Sequence, residues 1–259
     1  MAEAFVVDLA DGRRVFAKTH AAPPDGFFGR EAADLRWLRE PDVLPVPEVL
    51  AVSDEPPARL VLEWIEPGGR GGSDEAAFGR NLAALHRAGA DVFGRTDGRT
   101  TGSQALPNDP CATWVEFFAE RRLRPLAGLA SDRGALPDRL VVAVEGIADR
   151  LEEVGGPAEP PARLHGDLWA GNRMVGADGR SWLIDPASHG GHREFDLAMM
   201  RLFGGFGEAA FRAYDEVHPL ADGWPQRIGL HQLAPLVVHA IKFGGGYVGA
   251  VDDAVADLR

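Results

Sequence analysis

The sequence predicts an α+β fold of two lobes: a small antiparallel sheet carrying one helix, then a larger, mainly helical part. Three observations lead there. Strand-like runs separated by Asp-Gly and Pro-rich turns fill residues 4–64. A glycine cluster at 68–72 marks a boundary, beyond which apolar residues recur at helical spacing. Inside the helical part, residues 164–185 (LHGDLWAGNRMVGADGRSWLID) read instead as loop, hairpin and loop. The expected lobes are residues 1–66 and 67–259.

A chain of 259 residues, 45% hydrophobic and 25% charged, is globular in composition and needs no covalent staple. The single cysteine, Cys111, excludes an internal disulfide and fits a reducing compartment. A formal net charge of −12 argues against nucleic acid or an anionic membrane as partner. No apolar run reaches the length of a membrane span, and the N-terminus has no signal-peptide pattern. A soluble, cytoplasmic protein is expected.

Residues 4–9 and 13–18 are the first expected strands, turned by Ala10-Asp11-Gly12, and Lys18 closes the second. A lysine at a strand end is ordinarily solvated. Phe28, Ala32, Leu35 and Leu38 predict an amphipathic helix over 27–39, with Glu31 on the margin of its buried stripe and within reach of the sheet. Residues 45–52 and 59–64 supply two more strands around Asp54-Glu55-Pro56-Pro57. The glycine cluster lacks the Lys-Ser/Thr ending of a phosphate loop and the spacing of a dinucleotide fingerprint, so it reads as a connector. Ser73 is the expected cap of a helix with Asp74 and Glu75 in its first turn and His86 and Arg87 in its last. Residues 94–109 are loop; helices follow at 113–129 and 138–154, then a Pro/Gly linker at 155–161. Helices at 194–203, 208–217 and 224–243 complete the chain, with Met199 and Met200 as core filler.

The chemistry concentrates in residues 164–185. Strand-like runs at 173–176 and 181–184 flank Ala177-Asp178-Gly179, a strong hairpin signal. Folding back there returns Asp185 to the side of Asn172, five residues after Asp167. Three oxygen-bearing side chains then converge, as a hard divalent cation prefers. Phosphoryl transfer asks a protein mainly for positioning and charge neutralisation. In that chemistry Asp167 accepts the proton of an attacking hydroxyl, while Asn172 and Asp185 hold Mg²⁺. Lys18, fixed by Glu31, holds the phosphates as in protein-kinase-like folds. His165 is placed to buttress the loop, and Pro186 favours an extended or turn conformation at Asp185.

The run HGDLWAGN at 165–172 resembles the H-x-D-x-x-x-x-N catalytic loop of small-molecule kinases. It is more closely similar to the H-G-D-L-W-x-G-N pattern of the fructosamine kinase (ketosamine 3-kinase) family. The resemblance continues through Asp185-Pro186-Ala187 and through Gly191-His192-Arg193-Glu194 with Asp196-Leu197-Ala198-Met199. It also takes in RLFGGF at 201–206, FGGGY at 243–247 and WVEFFAERRLRP at 114–125, covering nearly the whole chain from about Glu3. It implies a bilobal protein-kinase-like fold and transfer of the ATP γ-phosphate to a sugar hydroxyl of a ketosamine, the adduct left by glycation of an amine. The modified sugar is then shed, which repairs the amine. The implied substrate is a ketosamine small molecule or a glycated protein lysine. By matching position, Asp167 is the base, Asn172 and Asp185 the metal ligands, and Lys18 and Glu31 the phosphate clamp. Backbone groups near Glu63, Trp64 and Ile65 are expected to bind adenine. Trp169 is a wall of the sugar pocket or a packed aromatic, and His239 a substrate contact or a structural histidine. Asp196 is expected to brace the catalytic-loop backbone, and Gly190 and Gly191 to form a tight substrate-side loop.

Three rival readings share parts of this pattern. One is an aminoglycoside- or choline-type kinase, against which the Trp of HGDLW and the GHRE–DLAM block speak. Another is a nucleotide-binding module without catalysis. The third is a metallohydrolase using His165, Asp167, Asp185, His189 and His192, which leaves Asn172 and Lys18 unexplained. Family members usually carry a helix, a strand and a Gly-rich turn before the first strand seen here, so the expected small lobe lacks its first strand and Gly-rich loop. That departure predicts weakened ATP binding and slow turnover. An ATP affinity equal to that of an N-terminally extended form would count against it.

Overall fold

The computed structural model describes residues 2–68, 74–96 and 106–258. The chain opens with β1 (Glu3–Asp8) and β2 (Arg14–His20), followed by α1 (Phe27–Arg39), β3 (Val49–Ser53) and β4 (Ala58–Glu63). The four strands make one antiparallel sheet in the order β1-β2-β4-β3. Strand β2 therefore lies inside the sheet, with Lys18 opposite Ala4 on one side and Leu60 on the other. Strand β1 is an outer strand and is exposed along its length. Helix α1 buries Phe28, Ala32, Leu35 and Leu38, the stripe that its sequence spacing predicts. It has no side-chain cap at Gly26. Instead Asp54, in the turn before β4, accepts the N–H of Phe28 at 2.9 Å and of Gly29 at 3.1 Å. A carboxylate here satisfies orphan donors and complements the helix dipole. It anchors the helix end just before Glu31.

Helix α2 (Glu75–Ala88) begins after Asp74, whose carboxylate accepts the Ala77 N–H at 2.8 Å. Ser73, the expected cap, lies outside the described residues, as does the glycine cluster beyond Gly68. The single helix expected over 113–129 is interrupted. Helix α3 (Trp114–Phe118) passes through a π-helical turn, Ala119–Leu123, into α4 (Arg124–Asp132). Pro125, with no N–H to continue an α ladder, is the second residue after that turn. Next come α5 (Asp138–Asp149), α6 (Leu151–Val154), β5 (Ala162–Leu164), β6 (Arg173–Val175), β7 (Ser181–Leu183) and β8 (His189–Gly191). The expected hairpin is β6–β7, and β5 pairs with β8. Gly190 and Gly191 thus belong to a strand rather than a loop. A Cβ at Gly190 would lie 1.9 Å from the Val92 carbonyl oxygen, so the glycine serves close backbone approach. Helices α7 (Glu194–Leu202), α8 (Glu208–Val217), α9 (Trp224–Phe243) and α10 (Gly246–Ala256) finish the chain. Helix α10 has no sequence expectation behind it, because its glycine-rich start hides the buried trio Val251, Ala254 and Val255.

These elements form two compact units, each threaded from separate stretches, whereas the expected lobes are contiguous. The first comprises Met1–Ala88, His165–Ser188 and Gly205–His218; the second comprises Gly89–Leu164, His189–Gly204 and Pro219–Arg259. Among the described residues, no helix is long and apolar enough to cross a membrane. The second unit packs around Leu123, Leu126, Leu140, Val144, Leu230, Leu233 and Val237. Beside that core lies a buried ionic network. Arg227 grips both oxygens of Glu194, at 2.8 and 2.5 Å, and Arg193 grips both oxygens of Glu159, at 2.6 and 2.8 Å. His192 and His231 stand beside it with ring centroids 5.0 Å apart.

Acid should loosen this unit. Burial, with His231 nearby, pushes the His192 ring from 6.5 down to about 3. Burial raises the Glu194 carboxyl, but hydrogen bonds from His231 and Arg227 outweigh it and hold it at about 2, against 4.5. Between the unfolded and folded values the unfolded chain binds more protons, so falling pH favours unfolding. The melting temperature is expected to fall as pH drops below about 6.5 and further below about 4.5. In His192→Asn the first part of that slope should flatten, as thermal melts across pH would show.

Candidate active site

The first unit holds the loop that follows β5. His165 is fully buried, and its ring ties the loop together. Its Nδ1 accepts the Asp167 N–H at 3.2 Å, which leaves the proton on Nε2, 3.0 Å from the Ile184 carbonyl oxygen. The His165 carbonyl in turn accepts the Ala187 N–H at 2.9 Å. Leu168 is fully buried and anchors the loop behind Asp167. Residues Ala170–Asn172 make a 3₁₀ turn, closed by Asn172 N–H to Trp169 O at 2.9 Å. The Trp169 ring lies across that turn. A Cβ at Gly171 would stand 2.2 Å from it, so only glycine admits the ring, which is still 40% exposed.

Asn172 joins the two acidic ends of the stretch. Its Nδ2 donates to the Asp167 carbonyl at 2.8 Å, to Asp167 Oδ2 at 3.1 Å and to the Asp185 carbonyl at 3.4 Å. The hairpin carries Asp185 back as the sequence predicts, with Ile184 N–H bonded to Asn172 O at 3.0 Å. The backbone of Asp185 differs from the extended form that Pro186 favours. Its φ is 50°, in the left-handed region that Asp tolerates better than most residues. Such a conformation costs on the order of 1–3 kcal/mol and needs surrounding structure to hold it. Here the bonds of Ile184 and Ala187 on either side do so, with Ser188 N–H to Asp34 Oδ2 of α1 at 3.3 Å.

That bend directs the Asp185 carboxylate to Lys18. Lys18 Nζ donates to Asp185 Oδ1 and, at 2.7 Å, to Glu31 Oε1. Burial pulls the Lys18 ammonium down, but the two carboxylates outweigh it and hold the group above its ordinary value. Burial raises the Glu31 carboxyl against the pull of Lys18, and Asp185 adds to the rise. One cation thus faces two carboxylates, with Asp167 linked through Asn172. The surplus is negative and the donors are carboxylate and amide oxygens. This set fits Mg²⁺, which takes one or two carboxylates and completes its shell with water and phosphate oxygens.

The remaining expected residues are distributed as follows. Sheet pairing in β4 ends at Glu63, opposite Val15, and Glu63 Oε2 accepts the Glu48 N–H at 3.1 Å. Ile65 is buried, and Trp64 Nε1 donates to Glu66 Oε2 at 2.8 Å. His239 and Asp196 belong to the second unit. His239 Nδ1 lies 2.7 Å from the Pro235 carbonyl oxygen, within an aromatic group of Phe203, Phe243 and Tyr247. Asp196 is fully buried in the first turn of α7. The metallohydrolase reading gains no support: the His165 ring is bonded to the Asp167 N–H and the Ile184 carbonyl, and His189 and His192 belong to the second unit. There His192, Glu194 and His231 come together. Glu159 and Glu194 already balance Arg193 and Arg227, so that trio offers a cation no net negative charge. Sequence reasoning missed Asp34, Asp54 and Glu75, whose partners lie far along the chain; only Glu75, an acid in a helix first turn, gave any signal.

Comparison with known proteins agrees with this geometry. All of residues 1–259 match the model of the fructosamine kinase family. The chain belongs to the fructosamine kinase family. A candidate ketoamine kinase of Synechocystis sp. is 38% identical over 92% of this chain and 81% of its own length. A protein-ribulosamine 3-kinase of Arabidopsis thaliana is 31% identical over 96% and 78%. Among solved structures, a candidate fructosamine-3-kinase of Thermobifida fusca superposes with a TM-score of 0.91 at 43% identity, covering 99% of this chain and 89% of that one. An aminoglycoside phosphotransferase bound to AMP-PNP and hygromycin B superposes at 0.64 with 18% identity, covering 99% and 90%, and shows the fold alone. The fold is protein-kinase-like, and a kinase family uses ATP as phosphoryl donor.

If Lys18 holds the phosphates, Lys18→Met should keep the sheet, since the side chain replaces the stem, but lose that charged contact. Hydrogen bonds to charged groups contribute about 1.5–3 kcal/mol. ATP affinity is therefore expected to fall roughly ten- to a hundredfold by calorimetry.

Proposed function

We propose that this protein is an ATP-dependent kinase that phosphorylates a sugar hydroxyl of ketosamines, of fructosamine or ribulosamine type, and so serves deglycation. The observation that carries the reading is the convergence of Lys18, Glu31, Asp185, Asn172 and Asp167 within one compact unit. The named relatives, ketoamine and ribulosamine kinases among them, support the substrate class. Residues 1–66 would carry the nucleotide, with Lys18 on the phosphates, Glu31 fixing Lys18, and the backbone of Glu63, Trp64 and Ile65 on adenine. Residues 67–259 would carry the catalytic loop and the substrate. The acidic charge and the buried, unpaired Cys111 support a reducing, cytoplasmic setting.

Asp167 accepts the proton of the sugar hydroxyl as its oxygen forms the bond to the γ-phosphorus; the bond from that phosphorus to the β-bridging oxygen breaks, and ADP leaves. His165 holds the Asp167 backbone in place through the Nδ1 hydrogen bond. Asn172 and Asp185 would hold Mg²⁺ through their side-chain oxygens, and the ion would neutralise charge on the phosphates. Lys18 leaves Asp185 for the phosphates while keeping Glu31. Trp169, exposed beside the turn, offers a flat apolar wall to the sugar. Either a free ketosamine or a glycated lysine on a protein suits this chemistry.

Asp167→Asn keeps shape and removes the base, which typically costs about 10²–10⁴ in rate. The wild type should phosphorylate fructosyl-lysine with ATP, and the variant should bind ATP yet turn over that much more slowly. Phosphorylation of an aminoglycoside or choline with ketosamines untouched would overturn the substrate class. ATP binding with no transfer to any of them would mark a non-catalytic module.

A further inference from the structure

Arg173 directly follows Asn172, and none of the roles above uses it. Its backbone N–H closes the 3₁₀ turn onto Ala170 O, and its side chain is nearly buried, 9% exposed. The guanidinium makes a two-pronged contact with Glu75, the first residue of α2: Nη2 to Oε1 at 2.5 Å and Nη1 to Oε2 at 3.2 Å. It also lies against two aromatic rings, 4.9 Å from the centre of Phe78 and 4.7 Å from that of Phe206. Those rings are themselves stacked, 5.5 Å apart at 25°. Glu75 Oε2 accepts a further N–H, from Gly207, at 2.9 Å. One residue before Phe206, a Cβ on Gly205 would lie 2.5 Å from Ala170 Cβ, so this segment rests directly on the turn between Trp169 and Asn172.

We infer that Arg173 and Glu75 form a clamp that positions Asn172 and Asp167 for phosphoryl transfer. The planar fork matches a carboxylate in two places at once and stacks on aromatic faces, which a lysine does not reproduce. The clamp joins the start of α2, the Gly205–Phe206–Gly207 segment and the end of the catalytic loop. It fixes the backbone on the C-terminal side of Asn172, as His165 fixes it beside Asp167. Both residues act through their neighbours and are positioning residues. Small displacements of reacting groups lower rate far more than they lower stability: about 1 Å can cost on the order of a hundredfold. The inference rests on reading Asp167 and Asn172 as the phosphoryl-transfer pair.

The test compares wild type, Arg173→Met, Arg173→Lys, Glu75→Gln and the Arg173→Met/Glu75→Gln double variant, each checked for folding by circular dichroism. Two readouts are taken: kcat and KM on fructosyl-lysine, and Mn²⁺ affinity by electron paramagnetic resonance with a non-hydrolysable ATP analogue. Arg173→Met is expected to lower kcat about ten- to a hundredfold. Mn²⁺ binding should weaken with it, while the ketosamine KM changes little. Arg173→Lys should recover only part of the loss, and the double variant should be no worse than the poorer single one, because the pair acts as a unit. Folded variants with kcat and Mn²⁺ affinity both near wild type would overturn the clamp, as would a lowered melting temperature alone. If the wild type binds Mn²⁺ and nucleotide but leaves ketosamines untouched, the substrate reading falls and the Mn²⁺ comparison still decides the clamp.

Discussion

A single ammonium set against two carboxylates governs the first compact unit. Lys18 is held between Glu31 and Asp185, largely out of water, and its charge survives burial because both partners are anionic. Removing Lys18 would instead leave two carboxylates facing each other, and a buried charge without a partner is costly. The arrangement nevertheless carries one negative charge too many. A site with that imbalance suits a divalent cation.

Much of the surrounding structure delivers those three side chains to one place. Lys18 is set by its position inside the sheet, between β1 and β4. Glu31 is set by a helix whose start is capped from the β3–β4 turn by Asp54 and which also engages Ser188 through Asp34. Asp185 depends on a left-handed backbone that the flanking hydrogen bonds hold in place. His165 on one side and Arg173 on the other secure the loop between. The devices differ in chemistry: an imidazole, a carboxylate cap, a guanidinium fork. They share the property of bonding to backbone or to a fixed partner, so that the Asp167 and Asp185 carboxylates need not hold themselves in place.

The legible parts of the sequence were those with local causes. The Asp-Gly hairpin, the α1 stripe and the order of sheet and helices follow from turn chemistry and periodicity, which act over a few residues. The motif at 165–172 pointed to the family before any geometry was known. Other features had no local trace. Strands β5 and β8 are three residues each and exist because they pair with one another. Helix α10 starts amid glycines that propensity disfavours, and burial of Val251 and Val255 overrides it. At 119–123 periodicity read one straight helix, and it has no term for a proline that shifts the ladder.

The sequence by itself determined the kind of chemistry. Residue types at fixed short spacings, Asp167 with Asn172 and a hairpin before Asp185, limit what a site can bind, and the family motif narrows it to one class of kinase. Only tertiary structure decided how the charges are shared. That Lys18 bridges Glu31 and Asp185, 167 positions away, that Asp185 bends left-handed, and that Arg173 finds Glu75 98 residues back are contacts between distant segments. Their strength comes from close geometry in a setting of low dielectric, which exists once the chain is packed and leaves no pattern along it beforehand.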